Sequence, residues 1–152
     1  MTTPVEWHGP EAEPGPAPGV EFAGYGERFV AYLLDSLLLG VVATVLAVIG
    51  FILYRDAPIL GVIAFAAAIV VSFAYYPYYW VKSGQTPGKK AVRIKVVRDV
   101  DGGPLGWGSA ILRMVGIWIG GLVFYLGYIW VFIDKRRRGW HDLMASTVVI
   151  KV

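Results

Sequence analysis

Cysteine is absent from the chain, which excludes disulfides and thiolate metal sites and leaves the redox compartment without a mark on the composition. Histidine is nearly absent too. His8 and His141 are the two present, too few to assemble a metal set, and no cofactor is expected. No serine or threonine has a base and an orienting acid nearby in sequence, so a hydrolase has no support; lipid-directed enzymology has little, and the chain reads as a non-enzyme. Charged residues make up only 16% of the 152 residues against 57% hydrophobic, a balance far from that of soluble globular domains. Residues 1–27 hold neither a basic n-region nor an apolar core, so no leader is expected there and insertion falls to the first apolar run.

What is present begins with a tail. Residues 1–24 carry Pro4, Pro10, Pro14, Pro16 and Pro18 with Glu6, Glu11, Glu13 and Glu21, a composition that cannot offset its ordering entropy and is expected to be disordered. A proline-rich docking site is the functional alternative. Residues 25–152 form the membrane domain. Its organising stretch opens at Glu27-Arg28 and runs apolar from Phe29 to Tyr54, enough for the ~20 residues that a bilayer core requires. Its single ionisable residue is Asp35, about 10 Å along the helix from Arg28 and read as lying well inside the hydrocarbon. Arg28, Tyr32 and Asp35 share one stripe, with Ser36 beside it, which makes Arg28 the expected answer to the aspartate. Ala43, Ala47 and Gly50 continue that side, whereas Leu34, Leu38, Val41, Val45, Val48 and Ile52 point to lipid.

A polar link, Arg55 to Pro58, leads to a second run, Ile59 to Trp80, whose Gly61, Ala64, Ala68 and Ser72 give a matching small face. The two runs predict a helical hairpin. Tyr75, Tyr76, Tyr78, Tyr79 and Trp80 form the expected interfacial belt, with Pro77 kinking or ending the helix. Lys82 to Lys90 is a basic, turn-rich connection. It fails as a phosphate loop, because Gly84 and Gly88 are too close and Lys90 stands where a metal-binding hydroxyl belongs; a turn among anionic head groups is the better account. Val92, Ile94 and Val96 then alternate with Arg93 and Lys95 as a short strand, and Thr147 to Val152 reads as a second strand that pairs with it.

Between the strands, Gly106 to Ile133 contains Arg113, the Gly116-x-x-x-Gly120 spacing and Gly120-Gly121. It is either a third transmembrane helix from Ile111 to Ile133 or a re-entrant hairpin broken near Gly120-Gly121. Six basic residues from Lys82 to Arg98 and five after Ile133, against Arg55 alone in the first link, put both basic segments in the cytoplasm. That, and the pairing of the strands, favours the hairpin. The expected fold class is an all-α membrane protein with two long helices, a third apolar segment and a small cytoplasmic two-stranded β element.

Arg28-Phe29-x-Ala31-Tyr32-x-x-Asp35, then Gly84-Gln85-Thr86-Pro87-Gly88-Lys89, then Arg138-Gly139-Trp140-His141-Asp142 resemble, in this order, the RDD family of bacterial membrane proteins. The resemblance runs from about Gly24 to Val152, with the proline- and glutamate-rich start outside it. It implies that Arg28 is the family arginine and Asp35 its first aspartate. The second falls at Asp142, with Asp134 the competing position. It also implies a bacterial plasma-membrane location, here with both termini cytoplasmic, and transport of ions or unknown ligands. Asp35 beside Arg28 is either a proton or cation site or a permanent ion pair that fixes packing; Arg113 is a second possible partner, or snorkels to the interface. His141 beside Asp142 reads as a relay or, better, a local cap. Lys135 to Arg138 reads as an anchor for anionic lipid rather than a nucleic-acid contact. The expected function is cation/proton exchange through Asp35, tuned by Arg28 or Arg113, in a homo-oligomer or with a partner membrane protein; the alternative is a non-transporting adaptor.

Overall fold

The computed structural model describes residues 16–123 and 129–152. Two long helices, α1 (Tyr25–Asp56) and α2 (Pro58–Lys82), form the expected hairpin with Ala57 alone between them. So short a reversal is possible because the Ala57 amide closes α1 on the Leu53 carbonyl at 2.7 Å, while proline at the start of α2 has no amide to satisfy. Near the link the backbones touch at Gly50 and Gly61, both buried. The exposed residues of α1 include Leu34, Leu38, Val41, Val45, Val48 and Ile52, the side read as facing lipid.

Helix α1 has 32 residues, about 48 Å at 1.5 Å per residue, against about 30 Å of hydrocarbon. Counting roughly 20 residues back from Asp56 reaches Asp35. With the α1–α2 link set at one edge of the hydrocarbon, this count puts Asp35 near the other edge rather than well inside, and the turn that carries Arg28 beyond it. Pro77 does not end its helix: α2 continues to Lys82, with the proline at a buried position inside it. Trp80 departs from the interfacial belt altogether, being fully buried.

The rest of the chain caps one end of the hairpin. It comprises α3 (Pro87–Ala91), β1 (Ile94–Arg98), α4 (Trp107–Leu122), a 3-10 turn at Trp130–Phe132, α5 (Trp140–Met144) and β2 (Thr147–Lys151). Strand β1 starts two residues later than its alternation implied, because Val92 caps α3 and Arg93 adopts a left-handed backbone, φ 55°. The strands pair antiparallel with Val96 opposite Val149. Ile94, Val96 and Val149 face Ala31, Trp80 and Ala110 of the helices, while Val97, Val148 and Ile150 pack with Phe22. That second contact corrects the extent of the tail. Phe22 bridges Ile150, Ala23 donates to the Val149 carbonyl at 2.9 Å, and Lys151 donates to that of Glu21 at 2.9 Å. Residues 21–23 thus lie along the edge of β2 and belong to the core, whereas residues 1–15 fall outside the described residues.

Helix α4 is 16 residues long, about 24 Å, short of a full crossing. It ends at Leu122, one residue past the Gly120-Gly121 pair near which the break was expected. Its Ala110, Arg113, Gly116 and Gly120 are buried and its Ile111, Leu112, Val115 and Leu122 exposed, one inward stripe on an otherwise lipid-compatible helix. Since β1 precedes it and the paired β2 follows it, the intervening segment starts and ends at the same small sheet. Residues 124–128, where a re-entrant reversal would fall, lie outside the described residues.

A Cβ at Gly61 would meet backbone atoms of Tyr54 at 2.7 Å and Gly50 O at 2.8 Å, whereas one at Gly40 would meet nothing within 4 Å. Gly61→Ala is accordingly expected to destabilise the hairpin by about 1–3 kcal/mol in thermal melts of the solubilised protein, and Gly40→Ala to leave the midpoint unchanged or slightly raised. Equal midpoints for both would contradict the close approach.

Candidate functional site

The cap and the hairpin meet in a buried cluster of charged side chains built around two carboxylates. The first is Asp142, at the third position of α5. A five-residue helix cannot persist by itself, and Asp142 secures this one by accepting from the Gly139 amide at 3.0 Å. The same Oδ2 accepts from Arg28 Nη1 of α1 at 2.9 Å. Its other oxygen accepts from Arg113 Nη1 of α4, which also donates to the Thr147 hydroxyl at 2.5 Å. One carboxylate thereby joins α1, α4 and α5 beside the first residue of β2. Burial alone would raise its pKa, but Arg113, with Arg28 and the Gly139 amide, overrides that and holds the acid well below the usual carboxylate range. His141, next in chain, is pushed down by burial to about 3, so it is neutral at physiological pH and no ready proton relay.

The second carboxylate, Asp35, is fully buried and is met by neutral donors: Gly88 N–H at 2.8 Å and Tyr75 O–H at 2.9 Å to Oδ1, and Thr86 O–H at 2.5 Å to Oδ2. Thr86 is the N-cap of α3, its hydroxyl also accepting from the Lys89 amide at 3.3 Å, and Pro87 follows at the first helical position. Gly88 is required by proximity, since a Cβ there would lie 2.3 Å from Ala31 O and 2.9 Å from the Asp35 carboxyl. The loop that resembled a phosphate cradle does bind an anion through a backbone amide, and the anion is the protein's own aspartate.

Between the carboxylates lies Lys89. It is buried, its Nζ has no hydrogen-bond partner, and it sits over the rings of Tyr32 at 4.6 Å and Trp80 at 5.8 Å. Trp80 also stacks on Arg113, 5.1 Å from the guanidinium carbon. Burial first, and then the Arg113 charge, lower the Lys89 amine to about 7.

The structure therefore brings Arg28, Arg113 and Asp142 together, and Asp35 stands next to them without a salt bridge to Arg28. The expected Arg28–Asp35 pair is corrected. Seven residues share a stripe but are about 10 Å apart, and each group has a nearer partner from another element. Asp134 lies elsewhere: it accepts from Arg138 Nε at 3.0 Å and from the amides of Arg136 and Arg138, which lower its pKa against the opposing effect of burial. Arg138 and Arg136 both pair with Asp99, so half of the basic run serves internal contacts. Sequence reasoning missed Tyr75, Thr86, Gly88, Lys89 and Thr147 as members of the cluster. Thr86-Pro87 carried a readable helix-start signal; the others carry no local signal of their destination.

The RDD family profile matches residues 22–146, a span that contains Arg28, Asp35, Arg113 and Asp142. The chain belongs to the RDD family. It is 30% identical over 134 residues to the uncharacterized membrane protein YteJ of Bacillus subtilis, covering 85% of this chain and 80% of that one. It is 27% identical over 147 residues to the uncharacterized protein YxaI of the same organism, 84% and 96% of the two chains. It is 25% identical over 97 residues to a proline-rich antigen of Mycobacterium leprae, covering 61% of this chain and 39% of that protein, so it spans well under half the length of the mycobacterial relative. No solved structure matches. With two helices long and apolar enough to span, this RDD protein is a membrane protein.

Two outcomes follow for stability. Asp142→Asn leaves two buried guanidiniums against no full charge and should cost about 3–5 kcal/mol, whereas Asp134→Asn, in a partly exposed network, should cost about 1 kcal/mol or less; melting or denaturant titration in detergent separates them, and comparable losses would refute the assignment of the lock to Asp142. For Lys89 the folded pKa lies below the unfolded one, so between about pH 7 and 10.5 the unfolded chain holds the extra proton and stability rises with pH, by at most about 1.4 kcal/mol per unit. Lys89→Met should melt above the wild type at pH 7, with the gap closing towards pH 10; parallel curves would contradict the buried amine.

Proposed function

We propose that the protein is a secondary transporter of the bacterial plasma membrane, exchanging a monovalent cation for a proton at Asp35. The observation that carries the reading is the contrast between the two carboxylates. Asp142 is neutralised by guanidiniums and closed off, while Asp35 is held at the hydrocarbon edge by hydroxyls and an amide, with no salt bridge among the described residues. A carboxylate flanked by the Tyr75 and Thr86 hydroxyl oxygens offers the hard oxygen donors that alkali cations prefer, and the same carboxylate takes a proton when the cation leaves. Access is supported by a cavity of about 560 Å³ at the same level, lined by Tyr32, Ser36, Ser72 and Tyr76 with Met114 and Trp118 of α4.

Two spanning helices cannot enclose a pathway, so the reading requires a homo-oligomer or a partner subunit. Ser36, Gly40 and Thr44, exposed at four-residue spacing along α1, offer a surface for close helix approach. The basic residues of the cap support a cytoplasmic side for it, and with it cytoplasmic termini. The second reading, an adaptor that assembles other membrane proteins, is favoured by the closed Arg28–Asp142–Arg113 network, which is a packing device.

The test is proton movement in proteoliposomes holding a pH dye, driven by a Na⁺ or K⁺ gradient. Wild-type flux is expected, and Asp35→Asn, inserted and melting normally, should lose it by about tenfold or more. No flux from the wild type under either gradient removes the exchanger and leaves the adaptor, for which deletion of residues 1–15, stopping short of the packed Phe22, should cost partners in a crosslinking assay.

A further inference from the structure

We propose that the cavity between the start of α1 and the 3-10 turn is a binding site for the phosphate-bearing head of an anionic phospholipid. The cavity holds about 180 Å³ and is walled by Tyr25, Phe29, Tyr32, Val131 and Phe132, with Arg28 and His141 completing it. Arg28 is more than nine-tenths buried, and its Nε and Nη2 have no hydrogen-bond partner. Only its Nη1 is engaged, on an Asp142 whose one negative charge is already shared with Arg113. A buried guanidinium whose charge is only partly balanced, beside a cavity with no other charge on its wall, favours an anion there, and phosphate is an anion that arginine recognises well.

The surroundings select a lipid over a free anion. The walls are aromatic and aliphatic, and Phe29 and Phe132 are among the most exposed apolar side chains, so an acyl chain can leave the cavity across them into the bilayer. Tyr25 and Phe132 stack at 4.4 Å to form the rim. Over Tyr25 lies the Arg137 guanidinium at 5.4 Å, held by a left-handed backbone, φ 54°, at a non-glycine residue. Depth agrees as well. Arg28 lies about 10 Å beyond Asp35 along α1, and Asp35 marks the edge of the hydrocarbon, so Arg28 is in the head-group zone. The site is independent of whether the protein transports ions.

The experiment measures lipid retained by the full-length protein, by native mass spectrometry and by thermal shift, after reconstitution with phosphatidylglycerol, phosphatidylcholine or inorganic phosphate alone. Salt is held near 1 M, where the Debye length of about 3 Å suppresses diffuse attraction to the basic surface. Wild type should retain phosphatidylglycerol and not phosphatidylcholine. Val131→Phe, which fills the cavity without touching an ion pair, should weaken retention about tenfold or more. Arg137→Gln, at the rim, should weaken it several-fold and keeps the test decisive if Val131→Phe melts early. Lys135→Gln should change nothing. Equal retention of both lipids, undiminished retention by both site variants, or equal protection by inorganic phosphate overturns the proposal.

Discussion

The structure depends on one buried carboxylate held by two guanidiniums. Arg28, Arg113 and Asp142 come from three elements far apart in sequence, and their ion pairs draw α1, α4 and α5 to one point. Energetically such a cluster is expected to do little better than an apolar substitute, because desolvating three charges is expensive. Its effect is on uniqueness. With both guanidiniums buried, any shift of α4 along α1 or α5 separates charges that no water can reach, so the cap has one position on the hairpin rather than a family of sliding ones. The glycines permit the approach that the charges demand: a Cβ at Gly116 would lie 2.7 Å from His141 Cα, so α4 reaches Asp142 only if that position is bare.

Asp35 solves a different problem with the same functional group. The connection after α2 must return the chain from the hairpin to the sheet, and a five-residue helix there has almost no intrinsic stability. Its N-terminal amide and threonine cap converge on Asp35, and a carboxylate is a favourable partner for that end of a helix. Tyr75 adds a third bond from α2, so α1, α2 and α3 share one anion. The two acids thus have opposite environments within one cluster, one paired with full positive charges and one with neutral dipoles. That difference separates an immovable fastening from a group able to change its occupant.

Much of the architecture was legible because it is local or periodic. The two apolar runs, the small residues at Gly50 and Gly61, and the β-branched final strand each carry their signal within a few turns of chain. The pairing of β1 with β2 followed from the instability of lone strands and the distribution of basic residues. What escaped were partners and limits set by tertiary packing. Arg28 and Asp35 share a stripe, but a stripe fixes direction and not reach, and nothing in the local sequence reports that Asp142 returns from more than a hundred residues away. The tail was misjudged by averaging. Proline and glutamate dominate residues 1–24, yet Phe22 and Ala23 at its end meet the uncovered side of β2. Trp80 and Tyr75 were absorbed into an aromatic belt by composition, although Trp80 is fully buried and the half-buried Tyr75 turns its hydroxyl to Asp35.

The loop from Gly84 to Lys89 shows how a failed motif can carry correct chemistry. Its spacing excludes a nucleotide, but the reason glycine-rich turns bind phosphate, an exposed amide at a helix start, operates there in full on Asp35. That amide is therefore spent. The donors left without a hydrogen-bond partner in the cluster are on side chains and not on that backbone: the Lys89 amine, and the Nε and Nη2 nitrogens of Arg28 and Arg113. Lys89 can relieve its isolation by losing a proton, since burial has brought its pKa to about 7. An arginine has no such escape, because its guanidinium stays charged at any accessible pH. Arg113 has the Trp80 ring beneath it. Arg28 borders a cavity instead, and a permanent charge that shares its one carboxylate with Arg113 gains from an anion in that hollow.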